Sequence, residues 1–403
     1  MTALTHSVFE VQKFKAGSYI TIEGDRRRSE FYIILEGVVE LLKINPENGN
    51  LSSQFLKKGD FFGVISAISG FPEIESAIAQ SEVTVLAVKR EKFGILIQKN
   101  PALAMKIIRS YSLRLRALDL IQSKAISSSN LIYVEENEHI FRSAEQYLEL
   151  GNKPLASYMF STYINLTPNG KFVPVAQARL AQLPKVSFKS KTNQNVVHYY
   201  PNQIIFCEGE PGSQIFAIME GEVKIVRLSG NTEIIMNILG PGQIFGEMAL
   251  LDNKPRSASA IAVTNVKLAI ISKLNFQVTT ELNPKLMTKV ISVISERVWT
   301  LYRKVINFYI ADINLRFADM FLILAEQSHA KILPNSSFEY SVSPSELLQM
   351  MGLSDNELQN LIRFINLHSF MKQDRGKLVC TDLDVLERYV ALNKQKQNKY
   401  RSS

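Results

Sequence analysis

The sequence predicts an α+β fold: two small β-barrels or jelly rolls, each closed by a helix, a helical spacer between them, and a helix-turn-helix at the carboxy end. Three observations carry this expectation. Residues 9 to about 95 are short alternating runs broken by glycine, such as YITIEGD (19–25), FYIILEGVVELLKI (31–44) and VTVLAVKR (83–90). Residues 199 to 280 repeat those runs in the same order. Residues 312 to 393 change to helical spacing with capping signals.

Alternation with period two is strand chemistry, and glycine marks the turns. The first run turns at Gly24, Gly37, Gly49 and Gly59. In the second run IIFCEGE (204–210) answers ITIEGD, and IFAIMEGEVKIVRL (215–228) answers FYIILEGVVELLKI. GPGQIFGE (240–247) answers KKGDFFGV, and VKLAIIS (266–272) answers VTVLAVK. A helical run follows each copy, PALAMKIIRSYSLRLRAL (101–118) and PKLMTKVISVISERVWTLYRKVINFYIA (284–311). Residues 138–183 are helical by period and 184–197 are a polar linker.

The last part opens with the helix INLRFADMFLILAEQ, followed by SPSELLQMM, Gly352, SDNELQNLIRFINL and a hairpin, MKQDRGKLVCT. Ser343 with Glu346 makes a capping box with Pro344 at the first helical position, and Ser354 with Glu357 makes a second. Two short capped helices joined at a glycine form a helix-turn-helix. The strands that turn at Asp374-Arg375-Gly376 read as a wing. The expected domains are 1–125, 135–185, 190–311 and 312–393.

Composition narrows the function. The chain has 403 residues, 46% hydrophobic and 21% charged, which suits several folded domains. No apolar run approaches the ~18 residues of a membrane span. The opening MTALTHSVFEVQKF has no basic stretch before an apolar core, so a cytoplasmic protein is expected. Cys207 and Cys380 are expected as buried reduced thiols, too few for a cysteine-held iron–sulfur site. A net charge of +8 permits a nucleic-acid partner without demonstrating one. The lysine-rich end, NKQKQNKYRSS, reads as a solvated tail, and Arg26, Arg27 and Arg28 as solvated loop residues. No nucleophile–base pair, metal-ligand spacing or P-loop is found, so neither an enzyme nor a bound metal or cofactor is expected.

One element carries chemistry. FGEMALLDNKPRSASA (245–260) aligns without a gap on FGVISAISGFPEIESA (62–77). Both open on FG, share a proline (Pro255, Pro72) and close on SA, but Val64 replaces Glu247 and Glu73 replaces Arg256. In the second copy, small residues let backbone N–H groups approach a ligand. Arg256 and Ser257 can hold an anion such as phosphate, and Glu247 can accept from a sugar hydroxyl. From charge pattern alone, a surface loop with a structural Arg–Glu pair is an equal reading.

The element resembles the phosphate-binding cassette of cyclic nucleotide-binding domains, through Phe245-Gly246-Glu247, Ala249-Leu250, Pro255-Arg256 and the small residues that follow. The resemblance implies a ligand site made by Gly246, Glu247, Met248, Ala249, Leu250, Arg256, Ser257 and Ala258, with Glu247 on the ribose 2′-hydroxyl and Arg256 on the cyclic phosphate. Cyclic AMP is the expected ligand, with cyclic GMP left open. The first copy departs at both charges and is expected to serve as a structural or partner-binding barrel. The family implies that the helix after the barrel walls the base, which nominates Trp299, Leu301 and Tyr302 and expects a homodimer seam along 284–311. In the spacer, Ala144, Tyr147, Ala156, Phe160 and Pro168 resemble a tetratricopeptide repeat, about one and a half units of it.

The carboxy-terminal part resembles the DNA-binding domain of Crp/Fnr transcription factors, which place the second helix in the major groove. Asn356, Gln359 and Asn360 then become candidate base readers, and Arg363, Lys372, Arg375 and Lys377 candidate phosphate contacts. Asp355 stands where the family more often has arginine. Two readings follow: a cyclic-nucleotide-responsive regulator that binds double-stranded DNA, and a nucleotide-binding regulatory subunit that controls a protein partner.

Overall fold

The computed structural model describes residues 9–26, 29–126, 138–183, 192–193, 196–229, 232–248, 255–272, 284–374 and 377–401. The first repeat contains strands β1 (Glu10–Phe14), β2 (Tyr19–Thr21), β3 (Glu30–Glu36), β4 (Val39–Ile44), β5 (Leu51–Leu56), β6 (Phe61–Phe62), β7 (Ser76–Ala79) and β8 (Val83–Lys89). Helix α1 (Val64–Ser69) follows β6, and α2 (Phe93–Lys99) and α3 (Pro101–Ile126) follow β8. Helices α4 (Glu138–Glu149), α5 (Lys153–Leu166) and α6 (Val173–Gln182) come next. The second repeat contains β9 (Thr192–Asn193), β10 (Val196–Tyr199), β11 (Ile204–Phe206), β12 (Gln214–Glu220), β13 (Val223–Ser229), β14 (Thr232–Leu239), β15 (Ile244–Phe245), β16 (Ser259–Ala262) and β17 (Val266–Ser272). Helix α7 (Pro284–Asn307) leads to α8 (Ile313–Gln327), β18 (Phe338–Tyr340), α9 (Pro344–Met350), α10 (Leu358–Leu367), β19 (Met371–Asp374), β20 (Lys377–Cys380) and α11 (Leu383–Arg401).

The internal repeat is visible in the strand order. The first repeat pairs β1-β8-β3-β6 and β2-β7-β4-β5, and the second pairs β10-β17-β12-β15, with β9 beyond β10, and β11-β16-β13-β14. Every pairing is antiparallel, as jelly-roll-like sheets require. Both copies shift register at the same point, between Ile34 and Glu36 and between Ile218 and Glu220. Each barrel buries its own apolar core, Ile20, Tyr32, Leu41, Phe62 and Val85 in the first and Phe206, Phe216, Ile225, Phe245 and Leu268 in the second.

Two compact units result, and they do not follow the expected boundaries. One contains residues 1–122 and 283–403, the other 123–282. Helix α7 therefore groups with the first repeat, although it follows the second in sequence. It packs against α1 and α2. The indole Nε1 of Trp299 donates to the Pro72 carbonyl at 2.8 Å, and its ring meets Phe71 at 4.6 Å. The Tyr302 hydroxyl donates to the Ile44 carbonyl at 3.0 Å, and the Tyr309 hydroxyl to the Pro46 carbonyl at 2.9 Å. The physical reason lies in α1. All six of its residues are buried, and Val64 supplies an apolar side chain where the second copy has Glu247. An apolar helix must be covered, and α7 covers it. Trp299, Tyr302 and Val305 are buried within one chain.

A buried charge cluster ties α7 to the carboxy-terminal elements and to the first repeat. Arg303 reaches Asp319 at 2.9 Å and Glu326 at 3.4 Å. Lys394 reaches Asp319 at 2.7 Å, and Arg26 pairs with Glu326 and Glu387. Two expectations are corrected here. Arg26 is an anchoring residue, while Arg27 and Arg28 lie outside the described residues. The lysine-rich end continues helix α11 to Arg401, and Lys394 within it pairs with Asp319.

The carboxy-terminal elements share one core that includes Phe317, Phe321, Leu347, Leu361, Phe364, Leu378 and Leu386. Strands pair as β18-β20-β19. The Ser343–Glu346 capping box is present. The second box is not: Ser354 makes no side-chain cap bond, and residues 355–357 form a single 3₁₀ turn before α10. Cys207 and Cys380 are buried free thiols. No helix among the described residues is long and apolar enough to cross a membrane.

Breaking the charge cluster should be costly, because the remaining charges stay buried. Asp319→Ala is expected to lower the unfolding free energy by about 3–5 kcal/mol in urea titration. Burial alone would raise the Asp319 pKa, but Lys394 and Arg303 outweigh it and hold the carboxyl at about 2, below its ordinary 3.8. Its contribution is thus present at neutral pH and is lost as pH falls from about 4 through about 2. The variant should show less loss over that window than the parent.

Candidate functional site

The second-repeat element starts where β15 ends. Gly246 has φ +79, a left-handed conformation that glycine adopts without a Cβ clash. Its carbonyl points at Arg256: guanidinium Nη1 donates to Gly246 O at 2.6 Å and Nη2 to Gln214 O at 2.9 Å. A Cβ on Gly246 would stand 2.6 Å from Arg256 Nη1. The guanidinium also lies over the Phe206 ring, 4.2 Å from its centroid, and is 6% exposed. Its Nε is buried and has no hydrogen-bond partner among the described residues. Burial pushes the arginine pKa down, and Glu210 and then Glu247 act against that.

The sequence-predicted residues gather closely where they are described. Glu247 and Met248 are buried, and Ser257 Oγ lies 3.8 Å from Met248 Sδ. Ala258 packs against the barrel core. Ala249 and Leu250 lie outside the described residues. The backbone of Arg256 is clasped on both sides: its N–H donates to Glu210 O at 2.9 Å, and its carbonyl accepts from Gly209 N–H at 2.9 Å. Glu210 was not singled out by sequence, yet the signal was there, since Asp25 keeps an acid at the matching place of ITIEGD.

The first repeat has the same clasp around the opposite charge. Gly24 N–H donates to Glu73 O at 2.7 Å, and Glu73 N–H donates to Asp25 O at 3.0 Å. Glu73 and Val64 line a cavity of about 200 Å³. Its charged lining residues balance, Lys43, Lys106 and Arg114 against Asp60, Glu73 and Glu75. Arg114 also pairs with Glu75 at 2.8 Å. Burial raises the Glu75 pKa, but Arg114 and then Lys43 bring it below the ordinary carboxylate value. This cavity offers no surplus cation to an anion.

Two base-wall candidates are engaged by the first repeat. Trp299 and Tyr302 donate their polar hydrogens to carbonyls of the first repeat, and Trp299 is 0% exposed. Leu301 lies on the same helix and is half-buried. In the carboxy-terminal elements Asn356, Gln359 and Arg363 are exposed or half-buried, with Leu361, Phe364 and Ile365 buried on the other face of α10. Asn360 Nδ2 donates to Glu357 at 2.8 Å, Lys372 lies 3.9 Å from Asp374, and Lys377 is paired with Glu339. Arg375 lies outside the described residues.

The chain has similarities to known proteins. Residues 11–100 and 196–281 match the family model of the cyclic nucleotide-binding domain. The chain is 23% identical over 185 residues to a CRP-like cAMP-activated global transcriptional regulator of Mycobacterium tuberculosis, covering 46% of this chain and 83% of that protein. It is 26% identical over 172 residues to the cAMP-activated global transcriptional regulator CRP of Haemophilus influenzae, covering 42% and 76%. A solved CRP/FNR-family transcriptional regulator of Thermus thermophilus is 19% identical at TM-score 0.38, covering 49% of this chain and 98% of that one. Cyclic nucleotide-binding domain sequence is therefore present, and CRP-like cAMP-activated regulators are homologues of less than half the chain.

Gly246 is the most constrained backbone position of the site. Gly246→Ala must adopt a positive φ and move the Arg256 guanidinium. It is expected to lower stability by about 1–2 kcal/mol in thermal or urea unfolding. An unchanged midpoint would show that the turn does not need glycine.

Proposed function

We propose that the chain is a cyclic nucleotide sensor, with cAMP as ligand and cGMP as the alternative, acting as a Crp/Fnr-like regulator of transcription. The second repeat is the sensing site, made by Gly246, Glu247, Met248, Ala249, Leu250, Arg256, Ser257 and Ala258. The observation that carries this reading is Arg256, a buried cation with an unsatisfied Nε beside the Gly246 turn. A phosphate can accept from such a group through charge-assisted hydrogen bonds. The first repeat, with Glu73 inside the same backbone clasp, is a structural copy that no longer takes a cyclic phosphate.

The helical segment 138–183 is a partial tetratricopeptide-like element, and 312–393 is a winged helix-turn-helix. Its helix 358–367 presents Gln359 and Arg363, with Asn356 just before it, to the major groove. Helix 284–307 joins the sensing repeat to this reader in sequence. A nucleotide that binds better in one placement of that helix shifts the population toward it.

A second reading has its own observation. Asp355 is exposed at the start of the reading face, and Lys377 is engaged by Glu339. Both weaken a DNA surface and favour a regulatory subunit that docks on a protein.

Selection from a random duplex pool at physiological salt separates the two. The full chain is expected to enrich a defined site with cAMP and not without it, and Arg256→Ala should abolish the enrichment. No enrichment by protein that binds cAMP would leave the regulatory-subunit reading. Salt must be held constant because phosphate contacts alone give non-specific retention.

A further inference from the structure

We propose that the helical segment 138–183 is part of the second repeat's ligand site, and that Tyr158 on α5 is a positioning residue for Arg256, acting through Glu210. The inference rests on reading Arg256 as the ligand-holding residue.

The path is short. Tyr158 hydroxyl donates to Glu210 Oε2 at 3.0 Å, and Cys207 N–H donates to the same oxygen at 3.0 Å. The Glu210 carbonyl then accepts the Arg256 N–H at 2.9 Å, and Gly209 N–H donates to the Arg256 carbonyl at 2.9 Å. Glu210 thus joins the three parts: its carboxylate oxygen meets helix α5 and the 207–210 turn, and its backbone carbonyl meets the cassette arginine. Fixing that backbone fixes where the guanidinium starts from, and a misplacement of about 1 Å is enough to weaken a charge-assisted contact.

The two repeats supply an internal control. Both keep the backbone clasp, and in the second it packs on the helices of 138–183. Ile204 and Cys207 are 3% and 0% exposed, in a core shared with Phe141, Phe160 and Tyr163 of the helices. Their counterparts Tyr19 and Ile22 in the first repeat are 55% and 53% exposed. The repeat that keeps the arginine is the one whose clasp meets helix α5 through Tyr158. The helices also touch the barrel elsewhere, where Asn152 Nδ2 donates to Glu233 at 3.3 Å.

The groups that face Glu210 are Tyr158 from α5, Tyr199 from β10, Cys207 after β11 and Arg256. Burial raises the Glu210 pKa, and the Cys207 N–H, the Tyr158 hydroxyl and Arg256 work against that rise. Nucleotide affinity should therefore fall as pH drops through the Glu210 titration. Removing the Tyr158 hydroxyl should move that fall to higher pH, and Glu210→Gln should remove it.

The test is calorimetric titration of the full chain with cAMP across pH, for the parent, Tyr158→Phe, Glu210→Gln, the double variant and Arg256→Ala. Tyr158→Phe and Glu210→Gln should each weaken binding by about tenfold, the scale of a hydrogen bond to a charged acceptor. The double variant should be no weaker than the weaker single one, since both act on one path. If Arg256→Ala loses binding while Tyr158→Phe and Glu210→Gln bind with parental affinity and pH profile, the positioning role is wrong and the site reading stands. If Arg256→Ala binds like the parent, the site reading fails and this inference fails with it. Should Tyr158→Phe not fold, Glu210→Gln carries the same decision.

Discussion

A charge buried inside a barrel wall organises the second repeat. Arg256 can stay there only because two carbonyls, an aromatic face and nearby acids compensate its desolvation. That requirement explains the rest of the local sequence. Gly246 turns a carbonyl toward the guanidinium, Phe206 and Phe216 floor it, and Glu210 sets its backbone. The first repeat has Glu73 and Val64 where the second has Arg256 and Glu247, and its apolar helix α1 is where α7 packs.

This gives the duplication a division of labour. One copy keeps the charges that suit an anionic ligand. The other is held to α7 by Trp299 and Tyr302 and to the carboxy-terminal elements by Arg26. The cluster of Arg303, Asp319, Glu326 and Lys394 ties α7 to α8 and α11, and Arg26 joins the first repeat to it. A ligand signal that reaches α7 must therefore work against buried ion pairs, which are expensive to separate.

Much of the fold was legible in the sequence because its signals are local. Alternation, glycine turns and the Ser343–Glu346 box depend on neighbours a few residues apart, and the repeat could be read by aligning the chain on itself. The cassette residues were legible for the same reason. What the sequence hid was long-range. Nothing in the period of 284–311 says which barrel covers it, since an apolar stripe fits either one, so the packing of Trp299 and Tyr302 on the first repeat was not foreseen. Arg26 looked solvated because its partners, Glu326 and Glu387, lie near the other end of the chain. Ser354 resembled a cap, but a 3₁₀ turn begins there and leaves its side chain out of the cap.

The central claim is that one repeat senses and the other supports. Its most direct test is the stoichiometry of cAMP binding to the full chain, measured by calorimetry at known active concentration. The account predicts one nucleotide per chain. Two equivalents per chain, or a single equivalent that persists after Arg256 is replaced by alanine, would contradict it.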